Sequence, residues 1–143
     1  MIPVWPADLP PRPLADGFRE GLEDGRLRTP MEAGLPKSRL RSSVAMRPVE
    51  ASFRVTADQK ARLERFYREE VGRGTLPFLL PDPVAQDRFL LADTETVLTD
   101  EVDRPLIVEA WLLVVFGDSP PTFAPRQRGL SFAASLSLSV LPL

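Results

Sequence analysis

Sixteen of the 143 residues are proline, about twice the usual share, and seven of these fall within the first 36 positions. Proline fixes φ and lacks an N–H, so Pro3, Pro6, Pro10, Pro11, Pro13, Pro30 and Pro36 exclude a continuous helix or a central strand from that stretch. Residues 1–36 therefore read as an arm. Its apolar anchors, Trp5, Leu9, Leu14, Phe18, Leu22 and Leu27, are scattered among glycine turns. Such a segment becomes ordered only by lying on a surface, its own chain's or a neighbour's.

Regular structure is expected over residues 37–118. Lys37 to Val55 reads as strand, in one piece or broken near Arg47-Pro48, because Val49, Ala51, Phe53 and Val55 alternate with Glu50, Ser52 and Arg54. The same period places Lys37, Arg39 and Arg41 on one face and Ser38, Leu40 and Ser42 on the other. A helix is predicted over 56–71. Thr56 and Gln59 have the spacing of a capping box, Leu63, Phe66, Tyr67 and Val71 form the apolar stripe, and Gly72 or Gly74 ends it. "GTLPFLLPDP" follows as a rigid apolar crossover, and "DRFLLAD" and "TETVLTD" as short strands. The run "PLIVEAWLLVVF", Pro105 to Phe116, is apolar on both faces and predicts a strand buried twice, with Trp111 and Leu113 facing a helix, an arm or a neighbour.

Residues 119–143 read as a proline-rich linker and a C-terminal β-arm. Its apolar face includes Leu136 and Leu138 opposite a row of serines, and it can fold back or join another subunit's sheet edge. The fold class expected is thus mainly β, in the α+β sense, with one amphipathic helix packed on the β structure and extended arms at both ends.

The chain contains neither histidine nor cysteine. That removes imidazole acid–base chemistry, thiolate and Ser/His nucleophile systems, zinc sites of the usual kind and disulfides. No catalytic, cofactor-binding or metal-binding residue is assigned, and no enzymatic activity is expected. Carboxylates remain, and a hydrolase or lyase would need a facing pair among Asp82, Asp87, Asp93 and Glu95; the acidic stretch lacks the spacing of a calcium loop. No apolar run reaches the length of a membrane span, and the expectation is a soluble protein made and kept in the cytoplasm, or assembled from there, without membrane partners.

Charge is unevenly placed: residues 1–75 hold 14 Lys/Arg and 11 Asp/Glu, whereas residues 76–143 hold 4 and 9. Identical copies could meet head to tail through the two halves. The stripe Lys37, Arg39, Arg41 would also suit nucleic acid, but no aromatic side chain is interleaved with it for stacking, and the whole chain is slightly acidic at −2.

The turn Arg28, Thr29, Met31, Ala33, Gly34, Lys37 and the step Gly74, Pro77, Phe78 resemble those of the small minor tail proteins of long-tailed, lambda-like bacteriophages, and the resemblance spans residues 9–118. It implies a tail-tube-like β-sandwich or barrel that assembles as a ring, with hexameric multiplicity expected. That ring would join tail tube to tail tip and continue the lumen. The partners implied are further copies of the chain, the tail tube protein and tail-tip or hub proteins, with DNA in transit through the lumen. The location implied is the virion tail, assembled in the host cytoplasm. The stretch after Asp118 and the apolar Leu40 depart from the family pattern, which leaves distal-tail and terminator rings open as alternatives. A subunit interface is expected at Arg28, Lys37, Arg39, Arg41, Trp111, Leu113, Leu136 and Leu138.

Overall fold

The computed structural model describes residues 1–41 and 45–142, so Ser42, assigned above to the face opposite the basic stripe, lies outside the described residues. Among the described residues there are eight strands: β1 (Arg19–Glu20), β2 (Arg26–Thr29), β3 (Lys37–Leu40), β4 (Arg47–Thr56), β5 (Phe78–Pro81), β6 (Trp111–Phe116), β7 (Thr122–Arg126) and β8 (Ser131–Val140). Six form one antiparallel sheet in the order β1-β4-β8-β6-β5, with β7 also on β8, while β2 and β3 pair separately. The protein is therefore mainly β with one helix on an antiparallel sheet. The sheet does not close into a barrel, and the β2–β3 pair, almost wholly exposed, is not the second layer of a sandwich.

The alternation in β4 does what its period requires. Val49, Ala51, Phe53 and Val55 are buried and meet Leu138, Leu136, Ala134 and Phe132 of β8 in register. Opposite them Glu50, Ser52 and Arg54 face Ser137, Ser135 and Ala133 on the other side of the sheet. β8 is thus the centre of the sheet rather than an arm, and Leu136 and Leu138 belong to this chain's own core, at 2% and 1% exposure. The apolar face of β8 is satisfied within the chain, which removes the need for a neighbour's edge.

The stretch read as a linker before β8 is also structured. β6 and β7 lie end to end along the same edge of β8, joined across it by the Gly117 N–H donating to the Ser137 carbonyl at 2.8 Å. Residues 118–121 bulge out between them. Pro125 is tolerated because β7 pairs with β8 alone, leaving its other edge free of ladder bonds. The doubly buried strand is corrected as well. β6 begins at Trp111, and Leu106 and Ile107 are exposed in a separate projection.

Thr56 caps the helix α1 (Ala57–Arg65) as expected: its side chain accepts the Gln59 N–H at 3.3 Å, and the Gln59 carboxamide accepts the Thr56 N–H at 3.0 Å. Beyond Arg65 the helix widens into a π-turn, Phe66–Glu70, closed by the Val71 N–H on the Phe66 carbonyl at 3.1 Å. In an α-helix residues five apart diverge by about 140°. The wider turn lets Phe66 and Val71 both be fully buried.

The arm docks on its own chain and serves both sides of the sheet. The Trp5 N–H donates to the Leu79 carbonyl at 2.8 Å and the Leu79 N–H to the Pro3 carbonyl at 2.9 Å, covering the β5 edge. Trp5 then enters the core, with ring centroids 5.1 Å from Phe53, 5.9 Å from Phe66 and 6.2 Å from Phe78, while its indole N–H reaches the Pro10 carbonyl. Further along, the Leu14 and Gly21 N–H groups bond the Ser52 and Pro48 carbonyls, and β1 pairs with β4. A Cβ at Gly17 would lie 2.4 Å from the Ser52 Cβ, so only glycine lets the arm pass this close.

Candidate functional site

Two projections stand outside this core. The first is the β2–β3 hairpin, which straddles residues 36 and 37. Arg26, Leu27, Arg28 and Thr29 pair with Leu40, Arg39, Ser38 and Lys37. Pro30 and Pro36, which forbid a continuous element, stand in its loop, where Gly34 adopts a φ of +88°. Partners across an antiparallel ladder share a face. Arg41, whose N–H bonds the Gly25 carbonyl, continues the pattern, so Lys37, Arg39 and Arg41 line one face with Leu27 and Thr29. Arg28 lies on the other face, with Arg26, Ser38 and Leu40. Arg26 is held by Asp24 at 2.8 Å, and that side-chain bond keeps the Asp24 carboxyl well below the usual carboxylate range. Among the described residues, Arg28, Lys37, Arg39 and Arg41 enter no ion pair.

The second projection, residues 88–108, is a three-sided module. The Leu90 N–H donates to the Leu106 carbonyl (3.0 Å), the Leu106 N–H to that of Leu98 (2.9 Å), and the Leu98 N–H to that of Leu90 (2.8 Å), a closed cycle. The flanking bridges obey the same pseudo-threefold order: Leu91 with Val97, Thr99 with Pro105, Ile107 with Phe89. Sequence reasoning missed this module, although its signal is an eight-residue repeat in which Phe89-Leu90-Leu91, Val97-Leu98-Thr99 and Pro105-Leu106-Ile107 correspond. Three-residue sides enclose no room for a core. Phe89, Leu91 and Ile107 accordingly remain more than half exposed, at 56%, 51% and 53%.

The module's turns are closed by aspartates. Asp93 accepts the Glu95 and Thr96 N–H groups, and Asp100 those of Val102 and Arg104. Bonds from backbone N–H to the charged form hold both carboxyls below their ordinary pKa, led by Glu95 for Asp93 and by Arg104 for Asp100. At the base, Arg12 of the arm binds Asp87 at 3.0 Å. Asp82 accepts the Val84 and Ala85 N–H groups. Of the carboxylates considered for a hydrolase, Asp82 and Asp93 are thus engaged in turns and Asp87 in a surface ion pair, while Glu95 gives the turn only its N–H. Among the described residues no cluster of His, Cys, Asp or Glu suits a metal ion.

Trp111 and Leu113 point away from the core face of β6, Trp111 42% exposed and Leu113 half-buried. Of the eight residues expected at a subunit interface, four are on the hairpin, these two are on the sheet's outer face, and Leu136 and Leu138 are excluded by burial. A shallow groove of about 530 Å³ runs over that outer face, lined by Arg19, Glu50, Ser52, Ser135 and Ser137 among others. A smaller one of about 290 Å³ lies between α1 and the bulge, against Tyr67, Pro120, Pro121 and Phe123. Asp82, Asp87, Asp93 and Glu95 line neither groove. Among the described residues no helix is long and apolar enough to cross a membrane.

No protein-family model, no curated protein and no solved structure matches this chain.

Proposed function

We propose that the protein is a structural, non-enzymatic component of a long-tailed bacteriophage, forming a ring that joins the tail tube to the tail tip and continues its lumen. The observation that carries this reading is the division of the chain into a core-bearing sheet and two exposed projections, one basic and one acidic and apolar. The arm covers the β5 and β4 edges of the sheet, and the edge left open at β7 is short and carries Pro125. Side chains on the projections then carry association. The proline-rich opening, the Arg28 to Lys37 turn and the Gly74 to Phe78 step support the tail assignment by resemblance.

The test is light scattering of the purified protein, alone and with tail tube protein, followed by electron microscopy. Rings seated on tube ends are expected, and a chain that stays single and ignores tube protein would sink the reading. A nucleic-acid-binding role is the second reading. It rests on the three cations sharing one hairpin face and predicts salt-dependent retention of duplex DNA.

A further inference from the structure

The two projections differ in charge as well as in position. Residues 25–41 carry Arg26, Arg28, Lys37, Arg39 and Arg41 against Glu32 alone, a net charge of +4. The module, residues 88–108, carries five carboxylates against Arg88 and Arg104, a net charge of −3, and Glu109 follows it directly. Each also presents apolar side chains without cover. The hairpin exposes Met31, Leu35 and Leu40, and eight of the exposed large hydrophobic residues lie between Phe89 and Ile107. Single exposed apolar residues are ordinary, but a cluster rimmed by charge of one sign is the composition of a docking surface.

We propose that the basic hairpin of one copy docks on the acidic three-sided module of the next, through Lys37, Arg39 and Arg41 and the carboxylates of Glu95, Glu101 and Glu109. The occupant is a second copy because the same chain supplies both complementary charges. The cations Lys37, Arg39 and Arg41 and these three glutamates have no ion-pair partner among the described residues of their own chain. The two surfaces are different patches of the molecule, so one such contact leaves a hairpin and a module open; these are used either by reciprocal docking of the same two copies about a two-fold axis or by further copies, closing as a ring or running on as a filament. Opposite charge sets which patches meet; on the hairpin Leu27 shares the face of the three cations, and the module's exposed apolar side chains supply area to bury. This inference rests on the self-association in the reading above and names the surfaces that perform it.

Charge exchange tests it. One variant carries Lys37→Glu, Arg39→Glu and Arg41→Glu; a second carries Glu95→Lys, Glu101→Lys and Glu109→Lys, leaving the turn-closing Asp93 and Asp100 in place. Circular dichroism and thermal melts confirm that both fold. Light scattering at low salt should show the unaltered protein associating with rising concentration and each variant alone associating about tenfold more weakly or less. An equimolar mixture should recover association, because each variant then supplies the charge the other lacks.

Variants that associate like the unaltered protein overturn the contact, and so does a mixture that fails to recover. An unaltered chain that remains single at low salt at every concentration, or gains mass only on adding duplex DNA, overturns it too. The tail reading is judged separately: rings formed on tail tube protein by the charge-reversed variants would keep that reading while this contact fell.

Discussion

Phe53 and Phe89 are both phenylalanines on extended backbone, yet the first is 0% exposed and the second 56%. Phe53 sits where β4 crosses Trp5 and the face of β8, so its conformation is fixed by close-packed neighbours. Phe89 sits on a three-residue side of a module fixed by a cycle of backbone hydrogen bonds and two aspartate-closed turns. Order in the body comes from side chains and order in the projections from main chain. A projection built this way keeps its apolar side chains available to another surface, which a packed core cannot do.

The difference is broken most strongly by cutting into the body. Phe66, fully buried and 5.2 Å from the Phe78 ring and 5.9 Å from Trp5, should cost about 3–5 kcal/mol when replaced by alanine, measured by urea or thermal unfolding, and should loosen the arm with the sheet. Phe89→Ala should leave the melting temperature within error, and an equal loss would show the module to be part of the core. Next in size is Thr56→Ala, which removes one half of the capping box and should cost about 1 kcal/mol in the same unfolding experiment.

The smallest effect is confined to the module and depends on pH. Backbone N–H bonds hold the folded-state pKa values of Asp93 and Asp100 below the ordinary 3.8, so their contribution is fully present above that pH. It is lost as pH falls below 3.8 through the depressed folded values. Amide exchange in acid should therefore quicken at Glu95, Thr96, Val102 and Arg104 before it does in β4 and β8, and simultaneous opening would erase the distinction between the two regions.

Much of the body was legible because local periodicity and burial agree there. The Val49 to Val55 alternation, the Thr56–Gln59 capping box and the Leu63–Phe66 stripe each state their own geometry. What was not legible depended on partners far away in sequence. The alternation of β8 shows its two faces but not that Leu136 would find Ala51 in the same chain. Pro125 argues against a strand until the position of β7 at the edge is known. Residues 105–110 share the apolarity of β6, and the eight-residue repeat that draws Leu106 away to Leu98 has no signature in a window tuned to periods of 2 or 3.6. At the candidate interface the basic row was plain, whereas its separation from Arg28 by the hairpin's two faces required the β2–β3 register.

The placement of β8 sets a clock. It is the middle of the six-stranded sheet, touching β4, β6 and β7, yet it is synthesised after all of them. Until Ser131–Val140 has been made, β4 has no long partner and the arm, though first to emerge, has only part of its seat. Folding of the sheet is therefore expected only once Ser131–Val140 has been made, at the slower pace of distant pairings. A growing chain in that interval carries bare apolar strands and depends on its prolines and surface charges to stay single.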